Sequence, residues 1–150
     1  MVYMFLAKGF EETEAIATLD ILRRAELDVK TVGIGGKQVT GNHNITVVAD
    51  MEEKDVTTDN MDAVVLPGGM PGTLNLEASP IVQASVQYCH RNRLHIGAIC
   101  AAPSILGHLG YLEGKRATCF VGFENQLKGA IVVNEPVVTD GNITTGKSMG

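Results

Sequence analysis

His95-Ile96-Gly97-Ala98-Ile99-Cys100-Ala101-Ala102-Pro103-Ser104-Ile105-Leu106 is the stretch on which the reading of this chain turns. Five residues of strand character run into a cysteine, then small residues, then a proline that opens a helix. A strand, a tight turn and a helix in that order form a nucleophile elbow, which lifts one side chain above the end of a sheet. Small neighbours suit it, because the turn is tight and its amides must face a substrate. The helix start puts partial positive charge near the sulfur, which predicts a lowered thiol pKa. The competing reading is a cysteine packed as a small apolar residue, the common fate of a free thiol.

Outward from this stretch the chain alternates. Val2 to Ala7 reads as a strand, and Glu12 to Ala25 as a helix with Ala15, Ile16, Leu19 and Leu22 at helical spacing. Val29 to Ile34 is a strand, and Lys37 to Val48 a hairpin around Gly41-Asn42. Asp62 to Leu66 is a buried strand, followed by a helix capped by Ser79 that buries Val82, Val86 and Cys89. Pro103 to Leu109 is a further helix. Arg116 to Phe120 and Ile131 to Val133 read as short strands, and Val137 to Thr144 as a hairpin with an Asp-Gly turn. Strands alternating with helices predict an α/β fold with a mainly parallel sheet, in which ligands bind beyond the carboxyl ends of the strands. Three loops fall there: Ala7 to Thr13, Pro67 to Thr73 and Cys100 to Pro103.

Composition narrows the classes. The chain has 150 residues, which suits one domain, and 45% are apolar, enough for a core. Its net charge is −5, and it has no basic run, so nucleic acid is a poor partner. Its apolar runs are too short for a membrane span, and the amino terminus lacks the charged region and cleavage site of a signal peptide. Cys89, Cys100 and Cys119 are odd in number and form no CxxC pair, so neither a disulfide framework nor a zinc ribbon is expected, and a cytoplasmic location is.

Two other loops carry candidate chemistry. Leu66-Pro67-Gly68-Gly69-Met70-Pro71-Gly72 can aim amides at a ligand, as an oxyanion donor or simply as a strand-to-helix turn. It does not match a phosphate loop. Lys8-Gly9-Phe10-Glu11-Glu12-Thr13-Glu14 puts three carboxylates at a helix start, where the dipole favours them. One could instead turn inward to the cysteine, where like charge and burial raise its pKa; spacing does not select which. His43, His90, His95 and His108 are neither placed for a Cys-His dyad nor spaced as metal ligands, and His90 is expected exposed. Cys89 and Cys119 read as structural, the latter inside a strand.

Together these stretches resemble the ThiJ/PfpI superfamily, in the branch of the Parkinsonism-associated deglycase and its bacterial homologues. The matching pieces are Leu6 to Ala15, Asp62 to Gly69, Ala98 to Pro103 and Asp140 to Thr145. The resemblance implies a flavodoxin-like three-layer sandwich, related to class I glutamine amidotransferases and usually homodimeric. It casts Cys100 as nucleophile, Glu14 as the carboxyl that meets it, and the Gly69 and Ala101 amides as the oxyanion site. Asp20 and Arg24 match helix residues near the family's dimer and pocket region.

The implied activity is glyoxalase- or deglycase-like, on α-oxoaldehydes or their adducts, with a small carbonyl substrate and neither metal nor organic cofactor. The alternative is a redox sensor or chaperone acting through oxidation of Cys100. A cysteine peptidase is disfavoured, because Ala101 stands where the peptidase branch has histidine, and so is an amidotransferase-like hydrolase, because the His and Glu that class carries after its last strands are not in this sequence. Phe120 stands where the deglycase has a histidine, which leaves proton transfer to Glu14. Relatives continue past the equivalent of Gly146 to Gly150 into a long helix, so the resemblance also implies a single domain that lacks its C-terminal helix here.

Overall fold

The computed structural model describes residues 1–149. Its strands are β1 (Val2–Leu6), β2 (Val29–Gly33), β3 (Gln38–Thr40), β4 (Thr46–Val48), β5 (Met51–Glu52), β6 (Ala63–Leu66), β7 (His95–Ile99), β8 (Arg116–Ala117), β9 (Ile131–Val132), β10 (Val137–Asp140) and β11 (Ile143–Gly146). The helices are α1 (Glu12–Arg24), α2 (Gly72–Glu77), α3 (Pro80–Arg91) and α4 (Pro103–His108). Seven strands form the main sheet in the order β10-β11-β7-β6-β1-β2-β5, all parallel except the β10–β11 hairpin. The chain leaves β1 toward β2 on one side and returns to β6 on the other. This reversal of direction opens a crevice at the carboxyl ends of β1 and β6.

The alternation of β1 sorts its side chains between two cores. Tyr3 and Phe5 point into the larger, with Leu66, Leu76, Val82, Val86, Ile96 and Ile105, under α2, α3 and α4. Met4 and Leu6 point into the smaller, with Phe10, Ala15, Val29 and Val39, under α1 and the β3–β4 hairpin. The result is the expected α/β architecture with helices on both faces of a mainly parallel sheet. On the α1 face, Leu22, Val65, Gly97, Ile99 and Val137 line an open apolar cavity of about 350 Å³.

Several local expectations need correction. α2 begins in the loop read over Pro67 to Thr73 and continues through residues assigned to no element, because Gly72 to Glu77 is too short to show a helical period and its preceding Pro71 makes no side-chain cap. β5 is a two-residue edge strand, below the length at which alternation is visible. β8 ends at Ala117, so Cys119 is buried in the following loop and not in a strand. Ile16 is 42% exposed despite its helical spacing, since α1 covers the sheet with Ala15, Leu19 and Leu22 instead. His90 is not an exposed helix residue: its ring stacks on Tyr111 with centroids 3.6 Å apart.

His108, at the end of α4, bridges two other segments. Its Nδ1 lies 2.5 Å from Glu77 Oε2 at the end of α2, and its Nε2 lies 2.6 Å from Gln126 Oε1 in the turn Glu124–Gln126. Two oxygen acceptors, one on each ring nitrogen, favour the imidazolium. The Gln126 and Glu77 contacts raise the His108 pKa above its ordinary value, against burial and the charge of Lys128. A folded-state pKa raised this way gives stability that is complete below the unfolded value and lost as pH rises through the folded one. The melting temperature of the wild type should therefore exceed that of His108→Gln most below about pH 6.5, and the gap should close at higher pH. A gap that is flat with pH would show the bridge to be neutral hydrogen bonding alone.

Candidate active site

Three adjacent strands, β7, β6 and β1, deliver the three candidate loops to one place. After β7 the chain turns at Cys100, whose φ is +66°. A non-glycine residue in this left-handed region stores backbone strain and persists only where its surroundings hold it. Here the Cys100 amide donates to the Gly146 carbonyl at 2.9 Å, and the Cys100 carbonyl accepts from the Phe120 amide at 2.8 Å. The Ser104 hydroxyl donates to the Ala101 carbonyl at 2.6 Å and closes the turn into α4. The elbow is thus clamped by β11 on one side and by the Phe120 loop on the other.

Each carboxylate of the β1–α1 loop has a separate task. Glu11 caps α1, its Oε2 accepting from the Glu14 amide at 2.7 Å. Glu12 accepts from the amides of His43, at 2.9 Å, and Ile45, at 3.2 Å, and so ties α1 to the β3–β4 turn. Burial opposes its charge, but these amides, its own amide and the His43 side chain outweigh it and hold the pKa below the usual range. Glu14 is the carboxyl that turns inward: it is 4% exposed, accepts from the Gly68 amide at 3.1 Å and shares a hydrogen bond with Cys100.

The glycines after β6 make this meeting possible. A Cβ on Gly68 would stand 2.6 Å from Cys100 Cβ and 2.7 Å from Glu14 Oε1. Any side chain at position 68 would therefore wedge the pair apart. Gly69 has a φ of +95°, and a Cβ there would meet the Glu11 amide nitrogen at 2.5 Å. The amides of Gly69 and Ala101 both reach the Cys100 sulfur.

The electrostatics correct one expectation. Burial, then the Glu14 charge and its hydrogen bond, push the Cys100 thiol up to about 12, although the Ala101 and Gly69 amides pull the other way. The predicted lowering does not occur, because burial and the facing Glu14 outweigh the two amides at the elbow. Burial likewise raises the Glu14 carboxyl, with Glu11 adding to it, against the Cys100 and Gly68 hydrogen bonds. Burial is the largest cause of both shifts.

Cys100, Glu14, Gly69 and Ala101 are thus brought together. With them around a cavity of about 510 Å³ lie Glu11, one of the three carboxylates considered for the site, Asn42 and Met70, read only as turn and loop residues, and Phe123, which the sequence did not mark. Phe120 lines it too, at the position already noted for its missing histidine. Asp20 and Arg24 form an exposed ion pair at 2.8 Å along α1 and do not line the cavity. Histidine spacing gave no hint of a metal group, yet Glu11, Glu12 and His43 bring ligand atoms within 4.8 Å of one another, the one such cluster among the described residues. Their contact crosses between α1 and the β3–β4 turn, which linear spacing cannot show. Both carboxylates already serve as backbone acceptors there.

The fold and this arrangement define a class: α/β proteins in which an elbow cysteine faces a buried carboxyl at the switch point of a parallel sheet. The chain belongs to the DJ-1/PfpI family, whose profile matches residues 1–150. It is 35% identical to protein DJ-1beta of Drosophila melanogaster, over 98% of this chain and 80% of that one. It is 30% identical to a protein of Thermococcus kodakarensis named a deglycase, over 99% of this chain and 90% of that one. Among solved structures it is similar to a DJ-1 superfamily protein of Salmonella typhimurium, crystallised as a cysteine-to-alanine mutant. The TM-score is 0.93 at 41% identity, over 99% of this chain and 81% of that one. No helix among the described residues is long and apolar enough to cross a membrane.

Alkylation distinguishes the three thiols. Cys89 and Cys119 are buried, and their pKa values are raised to about 11, by burial at Cys89 and by burial and then Glu124 at Cys119. Cys100 alone is partly open to solvent. Iodoacetamide should therefore place one label on the native protein, mapped to Cys100 by peptide mass analysis, and three after denaturation. A native label on Cys89 would contradict the packing described above.

Proposed function

We propose that this protein is a cofactor-independent enzyme that converts α-oxoaldehydes such as methylglyoxal to 2-hydroxy acids, or acts on their adducts, through Cys100. The observation that carries the reading is the buried Glu14–Cys100 hydrogen bond beside two inward-facing amides. The Thermococcus protein named a deglycase supports the same class of chemistry.

The steps follow from one mobile proton. Glu14 takes the thiol proton as the sulfur bonds to the aldehyde carbon, and the carbonyl electron pair moves onto oxygen. The Gly69 and Ala101 amides receive that oxyanion. Glu14 returns its proton to the oxygen, which gives a hemithioacetal, and then removes the hydrogen from the former aldehyde carbon. The released electron pair forms an enediolate with the neighbouring carbonyl. Reprotonation by Glu14 at the second carbon, with transfer of the hydroxyl proton from the first oxygen to the second, yields a thioester. Water adds to it, gives one proton to Glu14 and expels the sulfur. Proton return to the sulfur restores the pair. The sum is one oxoaldehyde plus one water to one hydroxy acid, with no change at the enzyme.

Lactate formation from methylglyoxal tests this. Cys100→Ala should abolish it, and Glu14→Gln should lower kcat by about 100-fold or more, the usual share of a general acid–base group. Both variants should keep the wild-type circular dichroism spectrum. Equal rates in wild type and Cys100→Ala would overturn the reading.

A second reading rests on the same hydrogen bond and on the partial exposure of Cys100. Oxidation by two equivalents of peroxide, each giving one oxygen atom and leaving as water, would produce a sulfinate that a protonated Glu14 can hold. Mild peroxide should then add about 32 Da, two oxygen atoms, to Cys100 of the folded protein. Resistance of Cys100 until the chain unfolds would argue against a sensor.

A further inference from the structure

The cavity above Cys100 changes character from floor to mouth. Its floor is polar: the sulfur, the Glu14 carboxyl and the backbone of Gly69 and Ala101. Its remaining lining is mixed: Met70, Phe120, Phe123 and Met149 are apolar, and Glu11, Asn42 and Ser148 are polar. Met70 is 43% exposed and Phe120 is 44% exposed, so apolar surface at the mouth lies open to a ligand. The volume of about 510 Å³ falls within the ~300–1,000 Å³ range of pockets for drug-sized molecules. A three-carbon aldehyde fills only a small part of it.

Charge around the mouth points the same way. Among the described lining residues there is no lysine, arginine or histidine, and Glu11 and Glu14 are both acidic. A substrate bearing a carboxylate or phosphate meets two carboxyl groups and no cationic side chain among the described lining residues of this chain. An uncharged apolar substituent instead covers Met70 and the phenyl rings and gains their burial.

Phe120 is held in place for this role. Its amide donates to the carbonyl of Cys100 itself, at 2.8 Å. Its ring meets Phe123 edge-on, with centroids 6.5 Å apart and planes at 62°. The aromatic wall is therefore registered to the nucleophile through one peptide hydrogen bond.

We propose that the preferred substrate is a 2-oxoaldehyde whose ketone carbon carries an uncharged aryl group, or an alkyl group larger than methyl, seated against Phe120, Phe123 and Met70, with Phe120 as the specificity-determining residue. The proposal rests on the oxoaldehyde reading above for its chemistry, and on the cavity wall alone for its selectivity.

The test is the ratio of kcat/KM for phenylglyoxal to that for methylglyoxal, with 4-carboxyphenylglyoxal as a charged analogue of phenylglyoxal. The wild-type ratio should be at least about tenfold, the scale on which a pocket reads an added apolar group. The carboxylated compound should fall back toward methylglyoxal. Phe120→Ala should lower the ratio at least about fivefold, mainly through KM for phenylglyoxal, and Phe120→Tyr should restore it. A wild-type ratio near one, or a ratio indifferent to Phe120→Ala, would overturn the proposal.

A binding measurement separates it from the chemistry beneath it. Calorimetry with 1-phenyl-1,2-propanedione and 2,3-butanedione reads the wall without turnover. If no oxoaldehyde is converted, yet the phenyl diketone binds wild type at least about tenfold more tightly and Phe120→Ala removes the difference, the wall stands and the enzymatic reading fails. Equal binding of the two diketones overturns the wall itself.

Discussion

A buried carboxyl hydrogen-bonded to a partly exposed thiol is the constraint around which this molecule is arranged. Such a pair is expensive to assemble, because each group resists ionising beside the other and burial opposes the charge of both. The fold supplies compensation at named points. The Gly68 amide donates to Glu14, the Gly69 and Ala101 amides face the sulfur, and β11 and the Phe120 loop hold the strained turn at Cys100. Removing any of these leaves charge or strain with nothing to balance it. The parallel sheet matters chiefly because it brings the ends of β7, β6 and β1 side by side.

The loops that carry the pair are also fastened to one another. The Glu11 amide donates to the Gly68 carbonyl at 2.9 Å, and the Gly72 amide to the Gly9 carbonyl at 3.2 Å. A Cβ on Gly9 would lie 2.5 Å from Pro71 Cδ. The glycines in these two loops therefore serve mutual close approach of backbone as much as approach to a ligand. The turn of φ +95° at Gly69 is what aims its amide inward.

Much of this was legible in the chain, for reasons that can be given residue by residue. The long periodic segments showed α1, α3, β1, β6 and β7 because burial on one face or two writes a pattern into the sequence. The Pro103 and Ser79 signals marked helix starts because caps are local chemistry. The resemblance selected Glu14, which spacing alone did not, since Glu11, Glu12 and Glu14 all suit a helix start. The wall of the cavity was not legible, because Met70, Phe120, Phe123 and Asn42 come from separate loops and share no local pattern. Nor was the raised thiol pKa at Cys100. A helix start can be read from sequence, whereas burial and the facing carboxylate belong to the folded chain. The Glu11, Glu12 and His43 cluster escaped for the same reason.

The first turn of α1 has a bearing on how such a chain can change over generations. Glu11 holds the helix, Glu12 holds the hairpin and Glu14 holds the sulfur, all within four consecutive positions. Exchange of one side chain there disturbs one attachment and leaves the others in place. Insertion or deletion of a single residue in that turn rotates everything beyond it by about 100°, and all three attachments fail together. The length of that turn is therefore constrained as well as its composition.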